Sequence, residues 1–173
     1  MRLSLTQHPD SRSTALRGID VALARAPDGF IVRYRLLGST ADVSFPPPRR
    51  PQRADDLWRT TCFEAFLAND DGSYHELNFS PSTQWAVYRF DGYRAGMHPS
   101  DDVGEPRIEI STDAGVYELA ASFDALPDVT RLGLSAVVEE RDGAKSYWAL
   151  AHPEGKPDFH HAASFALELS EHP

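Results

Sequence analysis

Five residues between positions 64 and 89 carry side chains that could do chemistry together: Glu64, Glu76, Asn78, Trp85 and Arg89. An indole beside carboxylates, an amide and a guanidinium suits a sugar. The ring takes the apolar face of a pyranose, and the polar groups take its hydroxyls. Two carboxylates also admit glycoside hydrolysis, which needs an acid and a base or nucleophile roughly 5–10 Å apart. The plainer alternative is a solvated sheet face with cross-strand ion pairs, such as Glu76 with Arg89.

Strands must position these residues. The segment "YHELNFSPSTQWAVYRF" at 74–90 alternates polar and apolar residues on either side of a turn, and "TCFEAFLA" precedes it. A three-residue loop at 70–72 and a four-residue loop at 80–83 predict Glu64 opposite Asn78, and Asn78 opposite Trp85. The next rows are Phe66, Glu76, Val87 and then Ala68, Tyr74, Arg89. In this register Glu64 and Glu76 are diagonal neighbours, about 7–8 Å apart along the backbone. The opposite face carries Phe63, Ala65, Leu67, Leu77, Phe79, Ala86 and Tyr88, and is the expected core. A five-residue second loop would instead set Trp85 opposite Phe79 and in the core, because a one-residue slip exchanges the faces.

A second hairpin, "EERDGAKSYW", places Asp142-Gly143 as a two-residue turn with Glu140 opposite Lys145. Leu134, Ala136 and Val138 then face the core with Tyr147 and Ala149. Trp148 falls on the other face with Val137, Glu139 and Ser146. Further strands are expected at 15–25, 30–37, 61–68, 107–111, 116–122, 131–140, 145–150 and 164–169, separated by turn signals such as "PDG", "NDDG" and "DAG". No window holds a helical period long enough for a crossover between parallel strands. The reading is an all-β antiparallel sandwich or barrel, in one domain spanning 1–173. The proline-rich stretch 45–56 reads as an irregular loop.

Bulk properties narrow the function classes. A net charge of −9 argues against a general nucleic-acid binder, and Arg49, Arg50 and Arg53 read as a solvated loop. The single cysteine, Cys62, excludes an internal disulfide, a multi-cysteine zinc site and a Cys-x-x-Cys-His haem attachment. The histidines show no His-x-x-x-His spacing, so no metal site is expected. "HPEGKPDFHH" at 152–161 could cover a pocket or hold a metal, with a surface loop as the plainer reading. No segment approaches the roughly 20 apolar residues of a membrane span, and the N-terminus turns polar too soon for a signal peptide. A cytoplasmic, soluble protein is the expectation.

"LWRTTCFEAFLA" followed by "YHELNFSPSTQWAVYRFDGYR", with the later "SAVVEERDGAKSYWALAHPEGKPDFHH", resembles the DOMON-like family, including its bacterial members, and its relatives the family 9 carbohydrate-binding modules. The resemblance covers roughly residues 57 to 165. It implies a jelly-roll β-sandwich that binds a sugar or a haem, usually without catalysis. By that likeness Trp58, Glu64, Asn78, Trp85, Tyr93 and Trp148 are candidate ligand-binding residues. The combined expectation is a non-catalytic module for a carbohydrate or glycan-derived metabolite. Trp58 and Trp85 would stack, and Glu64, Glu76, Asn78 and Arg89 would hydrogen-bond. The alternatives are a haem domain with Met97 and His152 or His160 as axial ligands, and a glycan-processing enzyme using Glu64 or Glu76. The favoured reading needs no cofactor and no catalytic residue, and its partner is a sugar-like small molecule.

Overall fold

Residues 1–126 and 128–169 are described by a computed structural model. Twelve strands run through them, all paired antiparallel within the ladders: β1 (Arg2–Gln7), β2 (Leu16–Ala26), β3 (Gly29–Gly38), β4 (Cys62–Asn69), β5 (Tyr74–Phe79), β6 (Trp85–Phe90), β7 (His98–Pro99), β8 (Arg107–Ser111), β9 (Glu118–Asp124), β10 (Val129–Glu139), β11 (Lys145–Ala149) and β12 (Leu167–Glu168). The described residues contain no α-helix, only short 3-10 turns. The architecture is an antiparallel β-sandwich with a jelly-roll-like curl.

One sheet has the order β8-β9-β3-β2-β1, and the other β7-β6-β5-β4-β10-β11, with β12 also on β10. β1 joins them. Its Arg2–Leu5 half pairs with β2, and Thr6 and Gln7 pair with Ala149 and Trp148 of β11. A strand that changes sheets closes one side of the sandwich. The sequence reading gave the segment 2–7 no strand, although Leu3 and Leu5 alternate with polar residues there.

The two sheets bury different amounts of themselves. In β3, Phe30, Val32, Tyr34 and Leu36 point inward while Arg33 and Arg35 face water. That is the ordinary one-sided pattern of an antiparallel sheet. In β4 and β5 nearly every residue is buried, so both faces of that sheet are covered. Between the sheets lies the main core, including Ile19, Val32, Tyr34, Phe63, Leu67, Leu77, Phe79 and Leu134. The Tyr34 hydroxyl, deep within it, donates to the Glu64 carbonyl at 2.7 Å. A second apolar layer covers the far face, with Phe66, Tyr74, Tyr88, Phe90, Val137, Phe159 and Phe165.

Turn geometry set the register. The β4–β5 hairpin has the expected three-residue loop, with Glu64 opposite Asn78 and Gly72 in the left-handed region at φ +88°. The other two hairpins are each shifted by one residue from expectation. Ser80 pairs with Gln84 around Pro81-Ser82-Thr83, with Thr83 at φ +72°. Phe79 then opposes Trp85, and Asn78 opposes Ala86. Glu140 pairs with Ala144 around 141–143, with Gly143 at φ +87°, so Glu139 rather than Glu140 opposes Lys145. All three loops follow the three-residue form closed by a left-handed residue. Because side chains alternate, each slip exchanged the faces of its strand.

The stretch 45–56 is irregular, but Arg53 is not a free loop cation. Its guanidinium lies 4.7 Å over the Trp85 ring and donates to the carbonyls of Val87 and Ser100. These contacts pin the loop along β6.

Candidate functional site

The far face of the second sheet holds a cavity of about 380 Å³, within the size range of small-molecule sites. β4 and β5 supply its acidic floor, Glu64 and Glu76, and β6, β10 and β11 supply Tyr88, Phe90, Val137 and Tyr147. Trp58, on a 3-10 turn, stands at the rim. The segment 152–161 closes the far side with Pro157, Phe159 and His160, so it covers the cavity rather than lying free on the surface.

The structure divides the eight candidate residues. Trp58, Glu64 and Glu76 line the cavity. Asn78 lies fully buried beside them, and its amide donates to Glu76 at 2.8 Å. Tyr93 stands exposed nearby, and its hydroxyl donates to Asp158 in the covering segment at 2.5 Å. Trp85 and Trp148 are only 4% and 3% exposed, and both pack in the core between the sheets. The register slips put them there, so neither can stack on a ligand in this cavity. The same slip sets Arg89 opposite His75 rather than Tyr74, on the other face from Glu76. The envisaged Glu76–Arg89 pair therefore does not form. Arg89 instead lies 4.0 Å from Asp91.

Trp58 is the exposed indole, at 48%. The walls that the sequence reading missed are Tyr88, Phe90, Val137 and Tyr147. Their signal was present but was assigned to the wrong face or not used. Arg94 was missed outright, and nothing in "DGYRAG" marks it.

The electrostatics of the floor are unusual. Glu64 is 3% exposed and receives one hydrogen bond, from the Ser135 hydroxyl at 3.1 Å. Burial, and then the neighbouring Glu76 carboxylate, push its pKa well above the usual glutamate range. Glu76 is also raised by burial, with the Asn78 amide and Arg94 pulling the other way. Among the described residues Glu64 has no ion-pair partner, and Arg94 is committed to Asp158 at 2.9 Å.

His160 links the floor to the cover. Its Nδ1 lies 2.9 Å from the Tyr74 hydroxyl, which also receives the Arg94 backbone N–H at 3.2 Å. The Tyr74 oxygen can either donate to Nδ1 or accept from it, so the contact is compatible with both ring tautomers. Nε2 faces Glu76 at 3.6 Å. Burial, and then Arg94, push the His160 pKa down to about 4, so the ring is neutral at pH 7. Met97 and His160 both line the cavity. His152 does not line this cavity; its Nε2 lies 2.8 Å from the Thr6 carbonyl, and its buried Nδ1 has no hydrogen-bond partner among the described residues. Among the described residues no group of three or more His, Cys, Asp or Glu could hold a metal ion.

A larger hollow of about 490 Å³ lies on the outside of the first sheet. Its Arg33 and Arg35 both pair with Glu118, at 3.5 and 3.1 Å.

No family model matches the sequence, and no curated protein does. Among solved structures, the chain is similar to the crystal structure of a "putative carbohydrate-binding protein" from Bacteroides uniformis. The TM-score is 0.67 at 11% sequence identity, over 95% of this chain and 84% of that one. At that identity the likeness shows a shared fold. No helix among the described residues is long and apolar enough to cross a membrane.

Proposed function

We propose that this chain is a DOMON-like β-sandwich that binds a small carbohydrate or glycan-derived metabolite in the cavity over Glu64 and Glu76, without altering it. The observation that carries the reading is Trp58, an exposed indole at the rim of a cavity whose floor is two buried carboxylates. That is the division of labour a pyranose asks for, with an apolar plane for its face and polar groups for its hydroxyls. The fold shared with a protein described as carbohydrate-binding supports the same reading.

Titration with a panel of mono- and disaccharides, followed by tryptophan fluorescence, tests it. Trp85 and Trp148 are shielded in the core, so a ligand-dependent change should come from Trp58 and vanish in Trp58→Ala. A change that persists in that variant, or no response to any glycan, would refute the proposed site.

A second reading is favoured by the raised pKa of both Glu64 and Glu76, since a buried carboxylic acid is what a glycosidase uses as its proton donor. Release of nitrophenol from nitrophenyl glycosides, lost in Glu64→Gln, would select it over simple binding.

A further inference from the structure

The floor of the cavity carries more negative capacity than its surroundings balance, and another glutamate in the same fold shows that this need not be so. Glu140 exposes as little surface, although it lies less deep than Glu64, and its oxygens accept from the Ser13 hydroxyl at 2.6 Å, the Thr14 hydroxyl at 2.6 Å, and the backbone N–H groups of Thr14 and Ala15 at 2.8 and 3.1 Å. These bonds hold its pKa below the usual range despite burial. Glu64 has one hydroxyl for the same purpose. Its neighbour Glu76 has one amide and a neutral imidazole. The nearest cations compensate only in part: Arg94 lowers the Glu76 pKa but is shared with Asp158, and His160 is uncharged at pH 7. Of the other titratable groups here, Tyr88 donates to Asp55 at 2.6 Å, and Cys62 is held neutral by burial.

Around this floor stand the faces or edges of Trp58, Tyr88, Phe90, Tyr147 and Phe159. Aromatic walls with an anionic floor favour a cation over a neutral molecule, because ring quadrupoles and carboxylates attract positive charge together. Anionic ligands are disfavoured by the same floor.

We propose that the cavity takes the ammonium group of an amine-bearing ligand, seated on Glu64 and Glu76 between the aromatic side chains. The sugar part rests on the carbohydrate reading above, under which the ligand is an amino sugar. The raised pKa of both acids favours a proton on the pair when no ligand is bound. An entering ammonium group replaces it as the counter-charge, and the proton leaves to solvent.

Isothermal titration at pH 6.5 with glucosamine, glucose, N-acetylglucosamine and cyclohexylammonium tests this. Glucosamine is expected to bind about tenfold tighter than glucose or N-acetylglucosamine, the difference between a charge-assisted and a neutral hydrogen bond. Its heat should vary with the ionisation enthalpy of the buffer, which reports the released proton, and Glu64→Gln should abolish both the preference and the proton release. Because glutamine is nearly isosteric, that variant should still fold, and Glu76→Gln provides an independent second variant. Equal binding of glucose and glucosamine would overturn the amine inference and leave the carbohydrate reading standing. Binding of cyclohexylammonium with no binding of any sugar would support the amine inference and overturn the carbohydrate reading. No binding by any of the four would overturn both.

Discussion

Glu64→Gln should stabilise this protein, and by an amount that grows with pH. The sign follows from proton counting. In the folded chain, burial and Glu76 hold the Glu64 pKa well above its ordinary 4.5, while in the unfolded chain it is ordinary. Between those two values the folded state keeps a proton that the unfolded state has released, so stability falls as pH rises through that window. One such proton is worth up to about 1.4 kcal/mol per pH unit. For a protein of this size about 1 kcal/mol moves the melting temperature by roughly 2–4 °C, so the slope is at most about 3–6 °C per pH unit. The buried histidines oppose it. His160, pushed down to about 4, and His75 and His152, also lowered by burial, contribute stability that is present above the unfolded value of 6.5 and lost as pH falls. The wild-type curve alone therefore mixes two signs. The difference between variant and wild type isolates the carboxylate. Melting temperatures by circular dichroism from pH 4.5 to 8 should show a small difference at the acid end that widens in the variant's favour. A difference that is flat with pH, or a variant that is less stable at pH 8, would refute the claim that Glu64 is an uncompensated buried acid.

Four substitutions probe the rest of the arrangement. Trp85→Ala should cost about 3–5 kcal/mol by urea denaturation, because it empties a core site, whereas exposed Trp58→Ala should stay within about 0.5 kcal/mol of wild type. Similar losses for the two would contradict the register. Asp158→Ala removes the acceptor for the Tyr93 hydroxyl, the Arg94 guanidinium and the His160 backbone N–H, and should make the segment 152–161 more susceptible to limited proteolysis while the sandwich stays folded. Unchanged cleavage there would show that Asp158 does not anchor the cover. Gly143→Ala should cost about 1–2 kcal/mol from backbone strain alone, since φ is +87° and nothing lies within 4 Å of the added carbon. A neutral outcome would mean that the turn can adopt another form.

The architecture was legible in the sequence because alternation and turn residues are local signals. β5 was read at its observed limits, and the β4–β5 register followed from Asp70-Asp71-Gly72. The polar half of the site came with that register, since Glu64, Glu76 and Asn78 lie on those two strands. The aromatic half did not. In the β10–β11 hairpin, glycine ends a three-residue loop where a two-residue turn had equally good residues. In the β5–β6 hairpin, Thr83 adopts a left-handed conformation that a β-branched residue rarely takes. Tertiary contacts hold it there, through the Thr83 hydroxyl on the Arg49 carbonyl at 2.9 Å and the 45–56 loop along β6. Such contacts cannot be read from a four-residue window. One residue in each turn thus exchanged Trp85 and Trp148 for Tyr88 and Tyr147 as cavity walls.

Alternation in "YHELNFSPSTQWAVYRF" does not separate a wet face from a dry one in this fold. All six residues of β5 are buried, so Tyr74, Glu76 and Asn78 form the floor of a second packed layer rather than a solvated surface. That layer is built on the sandwich but held by different contacts. The main core lies between the sheets, whereas the cover is tied down by Asp158 to Tyr93 and Arg94, and by Lys145 to the Arg59 carbonyl beside Trp58. Stability and site are therefore separable by position: the side chains between the sheets set the fold, and the layer outside them is free to carry two acids that the core could not tolerate. A chain that saturates Glu140 with four donors has the means to neutralise a buried glutamate. Glu64 has one donor and faces a cavity, and under the proposed function a ligand supplies the partner that the fold leaves out.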